Sequence, residues 1–397
     1  VYKRQRFRFP TQLNLVWLPW LNKEDPNMIP SQKHLFDIPE DVSYLNTAYM
    51  SPLMNSVVNA IDEGARLKAQ PWNLKISHFF DDVDKVRVLF ARIVNASAKS
   101  VAIIPSASYG LTTAAMNLPL AEGQKIVALK YQFPSHVYPW KKRARESGAI
   151  FHEVDVKDGF SATQSVLDAI DERTAIAALP NVLWTNGALI DLFEIRQRCD
   201  DVGAALVLDL TQSAGAMVTD FAKIRPDFAV VANYKWMLGP YSTGFLYVAE
   251  HYLDGRPLEE GWIARKGGRN FAKLTDNSEE FESGAGRYDM GERANFALMP
   301  GVICALEQLL SWGVDSIQTT LGMHNKDLCE RLDGIGLKTT RHGLRGPHFI
   351  GARIPDGTRA DLLEVLAARK IFLSQRNHAL RITPHLWNDQ TDFDRLI

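Results

Sequence analysis

A chain of 397 residues has room for two domains, since single domains run to roughly 100–200 residues. Apolar side chains make up 46% and charged ones 23%, a balance that predicts a folded globular protein and excludes a disordered one. Forty-five basic residues against forty-six acidic ones leave a net charge of −1, so no long-range field points to a nucleic acid or an anionic membrane as partner.

No apolar run reaches the ~20 residues of a membrane span, and the N-terminus lacks the order of a signal peptide. Cys199, Cys304 and Cys329 lie far apart without CxxC spacing, which fits reduced thiols better than a disulfide frame or a zinc site. A cytoplasmic protein without a metal is the expectation. Residues 1–27 mix Arg, Trp and Pro without helical or strand period and precede the first methionine, Met28. They are expected to be a non-native or disordered leader and are set aside from the fold, with 28–55 read as an N-terminal segment.

Phe79, Phe80, Val83, Val86, Leu89, Phe90 and Ile93 recur at helical spacing behind Ser77, a good N-cap residue, and predict an amphipathic helix. From Val101 to Val248, short β-branched runs alternate with helical stretches, the pattern of βαβ units and a mainly parallel sheet. The runs are Val101 to Ile104, Ile126 to Lys130, Phe151 to Val156, Ala175 to Pro180, Ala205 to Leu210, Phe228 to Ala232 and Gly244 to Val248. Several are apolar on both faces, as strands covered by helices on both sides must be. Residues 56–295 therefore read as a large α/β domain. Helices over Asn295 to Trp312 and Asp315 to Leu332, then strands at Phe349 to Ile354, Ile371 to Ser374 and Leu380 to Pro384, predict a small α+β domain over 296–397. Its last helix, from Asp392, reads as cut short.

Two polar residues close neighbouring predicted strands: Asp209 ends one, and Lys235 follows Phe-Ala-Val-Val-Ala-Asn-Tyr. Ligands of open parallel sheets sit at the carboxyl ends of strands, so both can face one crevice. A lysine there can form an imine with an aldehyde cofactor, and a carboxylate can keep a pyridine nitrogen protonated. Taken singly, either residue reads equally well as a structural Asp or a surface Lys. The turn Ile104-Pro-Ser-Ala-Ser-Tyr-Gly opens a helix, whose free N–H groups and dipole suit a phosphate, with Ser106 and Ser108 adding hydroxyls. The same turn also reads as a plain helix cap.

With these motifs in order, the sequence resembles the class V aminotransferase group of fold type I pyridoxal 5′-phosphate enzymes, which includes cysteine desulfurases, kynureninases and isopenicillin N epimerase-like proteins. The resemblance runs from about Tyr44 to Leu396. It rests on Tyr-Leu-Asn-Thr-Ala-Tyr-Met-Ser-Pro-Leu at 44–53, Leu-Val-Leu-Asp-Leu-Thr-Gln-Ser-Ala-Gly-Ala at 206–216, Ala-Asn-Tyr-Lys-Trp-Met-Leu-Gly-Pro at 232–240 and Leu-Arg-Ile-Thr-Pro-His-Leu-Trp-Asn at 380–388. It implies a seven-stranded, mostly parallel sheet and a homodimer.

It further implies that Lys235 is the Schiff-base lysine and proton carrier, that Asp209 partners the pyridine nitrogen, and that Gln212 touches the phenolic oxygen. Ser106, Ala107 and Ser108 match the phosphate loop, with Tyr234 on the phosphate. Phe133 falls where the family stacks a ring on the cofactor, and Arg381 matches the arginine that clamps the substrate's α-carboxylate. His136 and His385 lie nearby and are given no role. Where many relatives carry Ser or Thr, position 232 is Ala, so one phosphate contact is lost or supplied elsewhere. Residues 288–295 resemble kynureninases more than the usual Gly-Thr segment, which leaves a cross-subunit phosphate contact open. The segment before Arg381 holds no cysteine, which argues against desulfuration.

The implied activity is that of an aminotransferase on a small amino acid. A kynureninase-like hydrolase or other lyase or epimerase is the alternative, and a non-catalytic relative that binds in the same cleft is the rival outside enzymes.

Overall fold

All seven strands expected between Val101 and Val248 are present in the computed structural model, which describes residues 28–156 and 161–397. The expected leader, 1–27, lies outside the described residues. The strands are β1 Val101–Ile104, β2 Lys125–Leu129, β3 Ile150–Val154, β4 Thr174–Pro180, β5 Ala205–Asp209, β6 Phe228–Ala232 and β7 Gly244–Val248. Their order is β1-β7-β6-β5-β4-β2-β3, and β7 alone opposes its neighbours. Side chains alternate between two cores: Val101 and Ile103 enter one, Ala102 and Ile104 the other. A period of two with apolar residues in both phases is what burial on both faces demands.

Helices α1 Asn55–Ala69 and α2 Asp81–Ile93 cover one face. Helices α3 Ala107–Asn117 and α4 Tyr138–Ser147 cover the other. Helices α5 Ala162–Ala169 and α6 Leu192–Val202 complete the crossovers. The helix expected at Ser77 begins instead at Asp81, after a 3₁₀ turn over Ile76–Phe79. Asp81, Asp82 and Asp84 crowd its first turn, where carboxylates offset the helix dipole without a serine cap.

Farther along lie α7 Leu298–Trp312 and α8 Val314–Gly334. A four-stranded antiparallel sheet follows, made of β8 Lys338–Thr339, β9 Ile350–Arg353, β10 Ser374–Arg376 and β11 Ala379–Ile382 in the order β10-β11-β9-β8. The strand expected over Ile371 to Ser374 is divided. Ile371–Phe372 pairs in parallel with Ser43–Tyr44, whereas Ser374 starts β10 in the other sheet. The partner at Ser43 lies more than 300 residues upstream, so no local pattern announced the break. Among the described residues no helix is long and apolar enough to cross a membrane, and all three cysteines are free.

Residues 288–295, left open by the sequence, are held within this chain. The Asp289 carboxylate is ion-paired with both Arg87 and Arg293 and accepts the Ile103 N–H at 2.8 Å. Helix α3 lies so close to the sheet that a Cβ at Gly110 would meet Val230 Cγ1 at 2.6 Å and Ile104 Cδ1 at 2.9 Å. Gly110→Val is expected to lower stability by about 1–3 kcal/mol through overpacking. It should also displace the start of α3, read together as a lower melting temperature.

Beneath the carboxyl edge of the sheet, Trp236 meets His348 edge-on at 4.4 Å, and His385 stacks on Trp387 at 4.9 Å. Burial holds His348 near a pKa of about 4 and His385 near about 3. A histidine kept neutral in the fold takes up a proton only on unfolding, so its stabilisation is complete above the ordinary value of 6.5 and is lost as pH falls toward 4. At pH 5 the loss is about 2 kcal/mol for a folded value near 4. His348→Gln should therefore flatten the decline of melting temperature between pH 6.5 and 5; an unchanged slope would assign that decline to other groups.

Candidate active site

The carboxyl ends of β1, β4, β5 and β6 open onto one cavity of about 310 Å³. Ser106, Ala107, Ser108, Phe133, Asp209, Gln212, Tyr234 and Lys235 all line it. Eight residues spread over 130 positions thus converge where an open parallel sheet receives its ligands.

The turn after β6 fixes Lys235. Asn233 is fully buried, and its side-chain amide donates to Thr243 Oγ1 at 3.0 Å. The Gly239 N–H returns to the Asn233 carbonyl at 2.9 Å, and a Cβ at Gly239 would meet the Asn233 amide at 2.0 Å. Trp236, also fully buried, donates its indole N–H to Gln212 Oε1 at 3.0 Å. Between these anchors Lys235 is 8% exposed, with Nζ 5.5 Å from the Phe133 ring centre and equally far from that of Tyr234. Burial lowers its pKa to about 8, countered by the Asp209 carboxylate and assisted by the positive fields of Arg381 and Arg376. An amine in that range exchanges its proton near neutral pH. The Tyr234 phenol is pushed by burial up to about 12 and stays a hydrogen-bond donor.

Ser106 caps α3, its Oγ accepting the Tyr109 N–H at 3.3 Å and lying 3.0 Å from Ser108 Oγ. Capping and exposure of the first N–H groups of α3 therefore coexist in one turn. Gln212 spends one amide hydrogen on the Ala48 carbonyl at 3.0 Å and its oxygen on Trp236, leaving a second hydrogen. Asp209 Oδ1 accepts the Thr211 N–H at 3.0 Å. Beside Ala232, Thr211 and Ser242 also line the cavity. His136 is fully buried near Asp209; burial lowers its pKa to about 4 while the carboxylate pulls the other way.

Arg381 lies outside the lining but reaches its edge. Its Nε and Nη2 donate to Ser374 Oγ at 3.0 and 2.8 Å, and Nη1 donates to the Trp184 carbonyl at 2.9 Å. One hydrogen on each terminal nitrogen is left for a bidentate partner. Burial, then Arg376, lowers its pKa to about 9. Sequence reasoning missed Trp184, Thr211, Tyr241 and Ser242 in the lining. Trp184 meets Phe133 edge-on at 5.4 Å and donates its indole N–H to the Tyr131 carbonyl at 2.8 Å. Its signal was a tryptophan just past β4, in Leu-Trp-Thr-Asn-Gly.

Known proteins give this arrangement its context. The chain is similar to the "Uncharacterized aminotransferase YcbU" of Bacillus subtilis (strain 168), at 24% identity over 93% of this chain and 96% of that protein. It is also similar to a kynureninase of Geobacillus thermodenitrificans (strain NG80-2), at 26% identity over 75% of this chain and 71% of that protein. The fold superposes on the apo structure of a cysteine desulfurase from Thermococcus onnurineus NA1 with a TM-score of 0.79 and 19% identity, covering 93% of this chain and 96% of that one. On a C-DES mutant with glycine covalently linked to its PLP cofactor the TM-score is 0.81 at 17% identity, covering 92% of this chain and 97% of that one. The family model "Aminotransferase class-V" matches residues 43–390, nearly the whole described chain, and the protein belongs to that pyridoxal phosphate-dependent family.

Proposed function

We propose that this protein is an aminotransferase acting on a small amino acid, with Lys235 as the residue that captures the cofactor's aldehyde and then moves the substrate proton. The observation that carries the reading is one buried amine, Lys235, sharing a cavity with the carboxylate of Asp209 and the ring of Phe133. The residues present fit pyridoxal phosphate. The opening turn of α3 and the hydroxyls of Ser106 and Ser108 suit the phosphate, the Phe133 face suits a flat ring, and Gln212 has a hydrogen to spare for a phenolic oxygen.

When bound, the cofactor supplies an aldehyde that takes up amines and a pyridine ring that accepts the electrons of a bond broken at Cα. Asp209 holds a proton on the ring nitrogen. Lys235 Nζ, with a pKa near 8, takes the proton from the substrate Cα and can return it elsewhere. Arg381 orients the amino acid through its α-carboxylate, using the two hydrogens left on its fork. In this reading residues 56–295 bind the cofactor, 296–397 bring Arg381 to it, and two copies of the chain form a homodimer.

A kynureninase-like hydrolase is the second reading, favoured by Phe133 at the stacking position and by the kynureninase relative. Product analysis decides between them. Transfer requires a keto-acid acceptor and yields a new keto acid one for one, whereas hydrolysis releases alanine without an acceptor.

Lys235→Ala is expected to lower turnover by on the order of 10³-fold or more and to abolish borohydride trapping of pyridoxal phosphate on the chain, followed by mass spectrometry. Trapping on the intact protein at any other lysine would overturn the assignment. Because only the neutral amine attacks an aldehyde, the rate of cofactor capture by the apoprotein should rise with pH through about 8 and then level off. Asp209→Asn should cost roughly 10²–10³-fold in turnover while leaving trapping at Lys235 intact.

A further inference from the structure

The hairpin β10–β11 carries a second cation to the edge of the cavity, against its Trp184 wall. Ser374 pairs with Arg381 and Arg376 with Ala379, so the alternation of the strands places Ser374, Arg376 and Arg381 on one face. The Arg376 guanidinium carbon lies 5.5 Å from the centre of the Trp184 indole, and that of Arg381 lies 5.8 Å from the same centre. Trp184 lines the cavity that holds Lys235, and the field of Arg376 reaches both Lys235 and Arg381.

Among the described residues neither arginine is ion-paired with a carboxylate; Arg376 Nη1 donates only to the carbonyl of its neighbour Gln375, at 2.7 Å. A half-buried cation beside a buried one, with no anion between them, is unfavourable until something negative enters. Arg381 is already committed to the α-carboxylate in the reading above. Trp184 is held by the Tyr131 carbonyl through its indole N–H and by Arg381 through its own carbonyl, so the ring that both guanidinium groups approach is fixed.

From this we infer that the substrate carries a second carboxylate at the end of its side chain, and that Arg376 is the residue that selects it. The inference rests on the catalytic reading above, because it takes Arg381 as the α-carboxylate clamp. An acidic amino acid would bridge the hairpin, one end at Arg381 and the other at Arg376. A neutral amino acid would leave Arg376 unmatched in the cleft.

The test uses holoenzyme on which cofactor trapping at Lys235 has first been shown, and binding is measured by calorimetry with unreactive probes. Succinate, glutarate and adipate are compared with butyrate. At least one dicarboxylate should bind roughly tenfold to a hundredfold more tightly than butyrate, the range of one charge-assisted contact. Arg376→Met should erase that preference and leave butyrate binding unchanged, whereas Arg381→Met should weaken both classes. Dicarboxylates that bind no tighter than butyrate, or a preference that survives in Arg376→Met, would overturn the inference while the role of Lys235 stands. An equal loss of both classes in Arg376→Met would overturn it too, since Arg376 would then serve the α-carboxylate. Failure of trapping would remove both readings.

Discussion

The site depends on keeping a lysine amine out of water without giving it a salt bridge. Lys235 has a carboxylate in its neighbourhood but no ion pair among the described residues, and burial outweighs the attraction of Asp209 enough to bring its pKa to about 8. In the proposed reading, a direct pair at Lys235 would hold the proton on and leave no nucleophile. The polypeptide maintains this balance by fixing what surrounds the amine. Asn233 and Trp236 clamp the turn from either side, and Gln212 ties it to the next strand end.

The architecture accounts for why such distant residues meet. Asp209 closes β5 and Lys235 follows β6, and these strands are hydrogen-bonded neighbours running in the same direction. Their carboxyl ends therefore share an edge. Serine 106 closes the turn after β1, separated from β6 only by the reversed strand β7, so the phosphate-suited helix start and the amine lie on one side of the sheet. Gly110 lets α3 settle directly on the strands.

The large sheet was legible because most of its strands are apolar in both phases and bounded by turns, the edge strand β3 with His152 and Glu153 being the exception. Prediction erred where an element owes its form to a remote partner. Ile371–Phe372 belongs with Ser43–Tyr44, and nothing local separates it from Ser374. The start of α2 was misplaced because Ser77 has cap chemistry while three aspartates at 81, 82 and 84 do the stabilising. Around the cavity, residues in compact motifs could be grouped from the sequence, whereas Trp184 in the wall and Arg376 against it come together only when β4 and the hairpin fold onto one another.

What distinguishes this cleft is its thiol and cation content. Desulfuration in this family needs a cysteine thiolate near the substrate, but Cys199 sits in the core with its thiol pushed by burial up to about 12. Cys329 belongs to the core under the C-terminal sheet, and Cys304 lies on α7. None of the three lines the cavity. The hairpin that precedes Arg381 offers a guanidinium and a hydroxyl instead of sulfur, at Arg376 and Ser374. Neither attacks a substrate's sulfur, and both suit the recognition of oxygen anions. One buried amine lines the cavity, and two arginines without a carboxylate partner stand at its edge, an arrangement that suits the carboxylates and proton transfers of the proposed reading.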